Sequence, residues 1–495
     1  MSYWMTQLPD HVLIRILSNL TVKERIKLEL VCKQWYNAVQ MSYSNVHSLS
    51  LNFIKNPLNV NRSNRFLNDV VYPKFRSLSR LELIKTCITA DIMLTLRNSL
   101  HSLQDLRIGR CSITELDAVT NLPEVSHLVL PGAPTYWWDE KSKWQLDFSR
   151  PFYESYSQKL VEILPTLPLL SLEITKCVNA ESARVRNLTL SILQKSSTVE
   201  HFTVRNIQGA DSVTLSLLLL ESGKLQSLSL GVCLLSLNVS EVLPYISEDH
   251  KLAGRLEKLD LSIRGMGLTL NPASCVLVSN RFATLKVLHL NYGLALTGML
   301  RFPCLVELSL GTVQLNANTE SGISVGRWFK TLSVCKVTGP GGLARLCIKG
   351  YKSLTSLSLS FSENSMLIDD VCALFSRSRG IANFAIKLYD IAEDVVQDIL
   401  GLAGNCMLSL RNLSLVSYGI EATVIEELLR PFVRLRLKLL KSGVILPILI
   451  LDCRTSDTGS AIILEEFSEA KIELKCLEKT GANNEPEFSA QFCVS

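Results

Sequence analysis

The sequence contains no apolar run approaching the roughly 18 residues that a membrane-spanning helix requires. Its longest apolar stretches are LSLLLLE, from Leu215, and VILPILIL, from Val444. The opening residues, MSYWMTQLPD, have neither the basic segment nor the apolar segment of a secretory signal peptide. We therefore expect no membrane partner and a cytoplasmic and/or nuclear location.

Catalytic and metal-binding motifs are also missing. No H-E-x-x-H, P-loop or G-x-S-x-G motif occurs, the 7 histidines are dispersed, and none of the 14 cysteines forms a C-x-x-C pair. The segment GPGGLA, from Gly339, does fit G-x-G-x-x-A, but no Rossmann unit surrounds it. We predict no cofactor, no metal site and no enzyme activity for this chain.

Neither sign of charge dominates. The chain has 51 Lys and Arg residues against 46 Asp and Glu residues, which gives a net charge of +5. Nucleic-acid binding relies on an excess of positive charge, so we expect no nucleic-acid partner. The hydrophobic content of 47% is high enough for an ordered protein.

One pattern, apolar-x-x-apolar-x-apolar, recurs along most of the chain. Its 15 copies are on average about 28 residues apart, the spacing of long leucine-rich repeats. In each copy the last two apolar residues point inward from a short strand, and the residue between them points outward. Helical patterns follow many copies, for example from Thr89, Ala392 and Glu421. The copies begin at Val46, Leu78, Leu103, Val125, Leu169, Val199, Leu225, Leu256, Leu285, Leu305, Leu332, Leu354, Ile381, Leu410 and Phe432.

Alternating strands and helices predict an α/β solenoid, with parallel strands on the concave face and helices on the convex face. Over about residues 46–450 the chain resembles the intracellular leucine-rich-repeat horseshoes of the ribonuclease-inhibitor type. We assign residues 43–452 to this solenoid and residues 453–495 to a C-terminal cap and flexible tail. Cys111, Cys177 and Cys233 fall at the ninth position of their repeats, where a small residue caps the turn, so we interpret them as structural.

Residues 6–42 are predicted to form a separate module of three short helices. Pro9 suits the first position of a helix, and Thr21 and Glu24 have the spacing of a capping box. The apolar residues of the module occupy more than one helical face. A unit of about 30 residues is too small to stabilise itself with its own core, so we expect a partner to cover the remaining apolar surface.

The same residues resemble an F-box. The family's pattern is a Leu-Pro start, an apolar helix, a basic position and a V-C-[KR]-x-W segment. Here these are Leu8-Pro9, Ile16-Leu17-x-x-Leu20, Arg25 and Val31-Cys32-Lys33-Gln34-Trp35. An alternative interpretation, an N-terminal cap for the solenoid, would need only one apolar face and would not explain the Leu-Pro start.

The resemblance implies docking onto a Skp-family adaptor, which joins F-box proteins to a cullin–RING ubiquitin ligase. Which residues contact the adaptor and which pack internally stays open at this point. By motif position, the docking role is carried over to Leu8, Pro9, Ile16, Leu17, Leu20, Val31, Cys32 and Trp35.

Two surfaces are candidates for binding a protein substrate. The first is an insertion at residues 131–166, which contains Trp137, Trp138 and Trp144 and would either bind a partner or fold back onto its own repeat. The second consists of outward strand positions. These candidate positions are Arg107, His127, His201, Arg434 and Arg436. The last two alternate with leucines, which indicates either a half-buried strand with a solvated basic face or a basic patch for an acidic or phosphorylated segment.

Two functions fit these patterns. The first is a substrate-recognition subunit of a Skp–cullin–F-box ubiquitin ligase, in which the repeats hold a protein substrate without chemistry by this chain. The second is a repeat scaffold or inhibitor that binds a partner without promoting its ubiquitylation. The F-box-like residues favour the first, because a pure scaffold does not need them.

Overall fold

The structure is a computed structural model. It describes residues 8–52, 65–84, 87–109, 112–113, 115–131, 150–175, 198–208, 224–233, 254–264, 268–270, 282–290, 294–315, 322–338, 351–362, 378, 380–389, 397, 400–401, 404–406, 408–418, 422–454 and 466–476. The chain divides into two compact units, an N-terminal unit of residues 1–210 and 217–233 and a C-terminal unit of residues 211–216 and 234–495.

The N-terminal unit begins with three helices: α1 (Asp10–Ser18), α2 (Val22–Leu28) and α3 (Lys33–Tyr43). Its strands are β1 (Ser48–Asn52), β2 (Arg80–Ile84), β3 (Cys87–Ile88), β4 (Asp105–Gly109), β5 (Ser112–Ile113), β6 (His127–Pro131), β7 (Ser171–Thr175), β8 (His201–Gln208) and β9 (Ser227–Cys233). Between strands lie a π-helix (Leu67–Val71), α-helices at Tyr72–Lys74, Ala90–Ser99, Asp117–Thr120 and Arg150–Ile163, and a 3-10 helix (Leu164–Thr166).

Parallel pairing connects β1, β2, β4, β6, β7, β8 and β9 in that order, and β3 pairs with β5. The register places equivalent repeat positions side by side, so that Leu81 of β2 lies opposite Leu106 of β4. Both leucines are buried, whereas Arg107 between the apolar positions of β4 is only half-buried. Each buried leucine contributes about 1.5–3 kcal/mol to stability.

The C-terminal unit repeats this arrangement. Its strands are β10 (Lys258–Arg264), β11 (Leu268–Leu270), β12 (Val287–Leu290), β13 (Leu294–Leu296), β14 (Met299–Phe302), β15 (Glu307–Leu315), β16 (Gly322–Val325), β17 (Thr331–Thr338), β18 (Ser356–Ser362), β19 (Asn383–Tyr389), β20 (Asn412–Tyr418), β21 (Leu449–Arg454) and β22 (Ile472–Cys476). Among its described residues, the helices are Tyr351–Ser353 and Gly404–Cys406, both 3-10, and the α-helices Ala422–Lys441 and Glu466–Glu469.

Parallel pairing connects β10, β12, β15, β17, β18, β19, β20, β21 and β22. The strand β22 lies beyond residue 452, where we placed the end of the repeats, and adds one more strand to the sheet. In both units the α/β leucine-rich-repeat fold with parallel strands is confirmed. Among the described residues, no helix is long and apolar enough to cross a membrane.

Thirteen of the 15 predicted copies begin two residues before a strand of these sheets. The copy at Leu332 is displaced, because Leu332 pairs with Leu308 and the repeat therefore begins at Phe329, which is fully buried. The sequence LSVCKV also fits the pattern three residues too late, and periodicity could not choose between the two registers.

The copy at Phe432 is wrong, because residues 432–437 belong to the helix Ala422–Lys441 rather than to a strand. The buried side chains Leu429, Phe432, Val433 and Arg436 are spaced i, i+3, i+4 and i+7, which is the period of a helix. An arginine occupies the last of these positions. Because a charged residue is normally taken as exposed, the sequence was read as an alternation of basic and apolar residues and the helical period was missed.

Candidate docking site in the first three helices

Helix α1 begins one residue later than the sequence predicts. Pro9 is the N-cap rather than the first helical residue, and its carbonyl oxygen accepts hydrogen bonds from the N–H groups of Val12 (2.9 Å) and Leu13 (3.2 Å). The predicted capping box at the start of α2 is confirmed. The Thr21 N–H donates to the Glu24 carboxylate over 2.8 Å, and the Thr21 hydroxyl accepts from the Glu24 N–H over 3.4 Å.

Arg25 holds the three helices together from within. Its side chain is buried, and its guanidinium donates to three backbone carbonyls at the ends of α1 and α3 or beside them. These acceptors are Leu20 O at 3.0 Å, Ser42 O at 3.2 Å and Ser18 O at 3.3 Å. The basic position of the F-box pattern therefore has a structural role in this chain.

The structure separates the core of the module from its surface. Among the residues to which we assigned docking, Leu17 is fully buried and Trp35 nearly so. Leu8, Leu20 and Cys32 are half-buried. Pro9, Ile16 and Val31 are exposed.

Five exposed residues form the candidate docking surface: Pro9, Ile16, Leu30, Val31 and Tyr36. Their side chains are uncharged and large, and the exposed fractions are 41% for Ile16, 90% for Leu30, and 46% for both Val31 and Tyr36. Sequence reasoning missed Leu30, because it lies in the turn between α2 and α3, where no periodicity indicates which side a residue faces. Exposed apolar residues at this density make this surface a candidate interaction site.

Gln34 brings two parts of this surface together. Its side-chain amide donates to the carbonyl oxygen of Leu8 over 2.7 Å and to the Asp10 carboxylate over 3.4 Å. This contact holds the start of α1 against the first turn of α3. Pro9 therefore lies at the same end of the module as Val31 and Tyr36.

The module is fixed to the first repeat by a half-buried ion pair. Lys74 Nζ lies 2.6 Å from both carboxylate oxygens of Glu29, and Tyr43 donates its hydroxyl proton to Glu29 over 2.5 Å. The Tyr43 ring packs edge-on against Phe75, with 4.7 Å between centroids. Burial, and then the hydrogen bond to Glu29, raises the pKa of Tyr43, so this hydroxyl remains a donor.

The predicted substrate positions are dispersed. Arg107 forms an ion pair with Asp105 (3.2 Å), and His127 and His201 are exposed on the outward row of β6 and β8. Arg434 is exposed on the helix Ala422–Lys441. Trp137, Trp138 and Trp144 lie outside the described residues, and the end of the insertion is the helix Arg150–Ile163.

Arg436 is the one predicted substrate residue that the structure contradicts. It is fully buried, and its guanidinium donates to the carbonyl oxygens of Ala470 (2.7 Å) and Pro447. It therefore anchors the helix Ala422–Lys441 to the chain around β21 and β22 and is not accessible to a partner.

The outward face of the C-terminal unit contains a cluster that sequence reasoning did not single out as a unit. His289 of β12 lies 3.0 Å from the Glu307 carboxylate and 3.6 Å from that of Asp260. Burial alone would lower the pKa of His289, but the two carboxylates raise it to about 9. The sequence could have indicated this cluster, because the repeat alignment places the three residues at the same outward position, or the next outward position, of adjacent strands.

Among the described residues, no group of three or more histidines, cysteines and acids has the arrangement of a metal site. Cys32, Cys304 and Cys406 are free thiols.

Comparison with known proteins gives a domain assignment. A model of the F-box domain matches residues 5–47. No curated protein matches the chain. The solved structures that match include a Rad7 and Elc1 complex in yeast, with 16% identity over 80% of this chain and 93% of that chain and a TM-score of 0.35.

Another is the leucine-rich repeat-containing protein LegL7 from Legionella pneumophila, with 11% identity, 72% of this chain and 97% of that chain covered, and a TM-score of 0.28. Both TM-scores are below 0.5, so neither similarity supports an argument about function. The family match and the repeat geometry together show that the chain carries an F-box domain at residues 5–47, followed by leucine-rich repeats of the α/β class.

Proposed function

We propose that this chain is a substrate-recognition subunit of a Skp–cullin–F-box ubiquitin ligase. The F-box docks onto a Skp-family adaptor, and the leucine-rich repeats bind a protein substrate. The contribution of the chain is proximity and orientation of the substrate, and the chemistry of ubiquitin transfer belongs to other subunits. This role calls for a cytoplasmic and/or nuclear location.

The observation that carries the proposal is the candidate docking surface on an F-box whose core is already closed. Leu13, Leu17 and Trp35 fill the interior, so Ile16, Leu30 and Val31 are not needed there. Large apolar side chains that project from a folded module act as anchors when a partner covers them.

The junction with the first repeat supports the second half of the proposal. The Glu29–Lys74 pair and the Tyr43–Phe75 contact join the F-box to the repeat that follows it. Side chains that are mostly withdrawn from water on both sides make such a joint stiff. A stiff joint would keep a bound substrate at a set distance from the adaptor.

A binding assay with purified Skp-family adaptor and the full chain tests the docking role. We expect wild type to bind, and Leu30→Asp/Val31→Asp to lose affinity by about tenfold or more, because two apolar anchors become charged. Trp35 is left intact, since it is buried and its removal would unfold the module. The matched control is Ile445→Asp/Ile448→Asp, which adds the same two charges at exposed apolar residues (91% and 55%) in the C-terminal unit.

Two results would contradict the proposal. One is failure of the wild-type chain to bind any Skp-family adaptor, in which case a scaffold or inhibitor role would replace it. The other is an equal loss for Ile445→Asp/Ile448→Asp, which would show that added charge alone weakens binding.

A further inference from the structure

One edge of the C-terminal unit is strongly basic. At the N-terminal ends of its parallel strands, where each repeat enters the sheet, the exposed side chains include five cations and a tryptophan. We call this set the basic edge: Lys286, Arg327, Trp328, Lys330, Lys352 and Arg411.

Backbone hydrogen bonds place Lys286, Lys330 and Arg411 in one row across the strands, and Arg327, Trp328 and Lys352 lie two or three residues before the same row. The Lys330 N–H donates to Val306 O (2.8 Å), whose own N–H donates to Lys286 O (2.7 Å). On the other side Lys330 O accepts from Thr355 N, and the row continues through Ala382 to Arg411. Five strand steps therefore separate Lys286 from Arg411, about 24 Å at the usual strand spacing.

Most of this charge is not neutralised within the part of the chain that the structure describes. Lys286 has a neighbouring acid, Glu257, at 2.7 Å, and both side chains are about half exposed. Lys330, Lys352 and Arg411 have no ion-pair partner among the described residues, and all three are exposed. Glu307, an acid on a neighbouring strand, is held by His289.

Trp328 adds an apolar anchor to the row. It is 54% exposed, in the turn just before β17, and Arg327 stacks over its ring at 4.8 Å. Tryptophan and arginine are both among the residue types enriched at the energetic centres of protein interfaces. Exposure of such a side chain on a folded domain points to a partner.

We propose that the basic edge binds an acidic protein segment in an extended conformation. Charge complementarity identifies the occupant as a chain of carboxylates or phosphorylated side chains. An extended peptide covers about 3.3 Å per residue, so roughly seven or eight residues match the 24 Å row. A hydrophobic residue near the middle of the segment would contact Trp328.

A protein segment fits the edge better than a single-stranded nucleic acid. Nucleic-acid grooves carry aromatic side chains for several successive bases, whereas the described residues of this edge present one. The further claim that this edge is the substrate-binding surface of a ligase rests on the proposed function. Its binding of acidic peptide is independent of the adaptor.

The test uses the full chain and fluorescence anisotropy with a labelled peptide of about eight glutamates, matched to a peptide of the same length made of glutamines. We expect the glutamate peptide to bind and the glutamine peptide not to bind. Lys330→Glu/Lys352→Glu should weaken binding by about tenfold or more, since two attractive charges become repulsive. Trp328→Ala should weaken binding of a peptide with a central leucine more than that of the all-glutamate peptide.

The matched control is Arg76→Glu/Lys224→Glu, which makes the same change in net charge on the equivalent edge of the N-terminal unit. An equal loss in this control would overturn the proposal, because binding would then follow net charge alone. Preferential binding of an oligothymidine of equal length to the basic edge would also overturn it in favour of a nucleic-acid surface.

The adaptor assay separates this proposal from the proposed function. The edge variants should bind the adaptor as wild type does. If the wild-type chain binds acidic peptide but no adaptor, the ligase role fails and the peptide site stands. If it binds adaptor but not the peptide, the peptide site fails alone.

Discussion

The two units of this protein use the same repeat but differ in where their charged side chains lie. At the N-terminal ends of the strands, the described part of the N-terminal unit balances Arg76 and Lys224 against Glu124 and Glu200. The corresponding edge of the C-terminal unit is dominated by cations. The apolar positions of the repeat are equally well buried in both, so the core does not require either distribution.

The charged groups of the N-terminal unit are largely engaged with each other. Asp105 lies 3.3 Å from Arg80 and 3.2 Å from Arg107, and Glu29 is held by Lys74. In the C-terminal unit the comparable engagement is around His289, beside an edge where Lys330, Lys352 and Arg411 are exposed to water. The difference shows that the same repeat can carry charged side chains in two ways. In one unit they pair with each other, and in the other they stay exposed and available to a partner.

The largest expected effect comes from Arg25, the buried charged residue that binds three backbone carbonyls in the N-terminal unit. We predict that Arg25→Met destabilises the F-box by about 3–4 kcal/mol, because three carbonyl oxygens would lose their donor. Hydrogen exchange should show lost protection in α1–α3 and unchanged protection in the strands of the C-terminal unit. The exposed Arg15→Met is the control. Unchanged exchange in the F-box of Arg25→Met would show that this arginine does not hold the helices.

A smaller effect is expected at the joint between the F-box and the repeats. Lys74→Met should lower the free energy of opening of this joint by about 2 kcal/mol, because Glu29 would keep only the Tyr43 hydroxyl as a partner. Hydrogen exchange of α3 and β2 measures this, with the exposed Lys27→Met as the control.

A double-mutant cycle with Glu29→Gln sharpens the result. The double variant should be less destabilised than the sum of the two single variants, since the pair is already broken by either change. Additive effects would indicate that Lys74 and Glu29 act independently.

The smallest effect is pH-dependent and belongs to the C-terminal unit. Because the pKa of His289 is raised from 6.5 to about 9, protonation favours the folded state. This stabilisation is fully present below pH 6.5 and is lost as the pH rises to about 9. We expect about 1 kcal/mol, a value reduced by the partial exposure of the cluster.

Denaturant unfolding at three pH values across this window checks the expectation. His289→Asn should remove that part of the pH dependence, while the exposed His127→Asn in the N-terminal unit should leave it in place. A wild-type stability that does not fall between these pH values, or falls equally in His289→Asn, would contradict the assignment.

The helix Ala422–Lys441 shows where prediction from sequence met its limit. The segment RLRLKL alternates basic and apolar residues, which is the pattern of a half-buried strand. Only the fold reveals that Arg436 occupies an interior position, where the backbone carbonyls of Ala470 and Pro447 satisfy its guanidinium. A buried arginine has no signature in composition or periodicity, because its acceptors come from residues distant in sequence.

The F-box shows the same limit on a smaller scale. The motif located the domain and named most of its apolar residues, yet it could not say that Leu17 and Trp35 face inward while Ile16 and Val31 face outward. Leu30, the most exposed of them, lies in a turn without periodicity.

The sequence by itself determined the repeat, most of its strand positions and the F-box, because these depend on the spacing of apolar residues and on local motifs such as the Thr21–Glu24 capping box. The tertiary structure alone decided which charges are neutralised and which are exposed. The spacing of apolar residues is a local property of the chain, whereas the partners of Glu29, His289 and Arg436 come from separate elements that only folding brings within hydrogen-bonding distance.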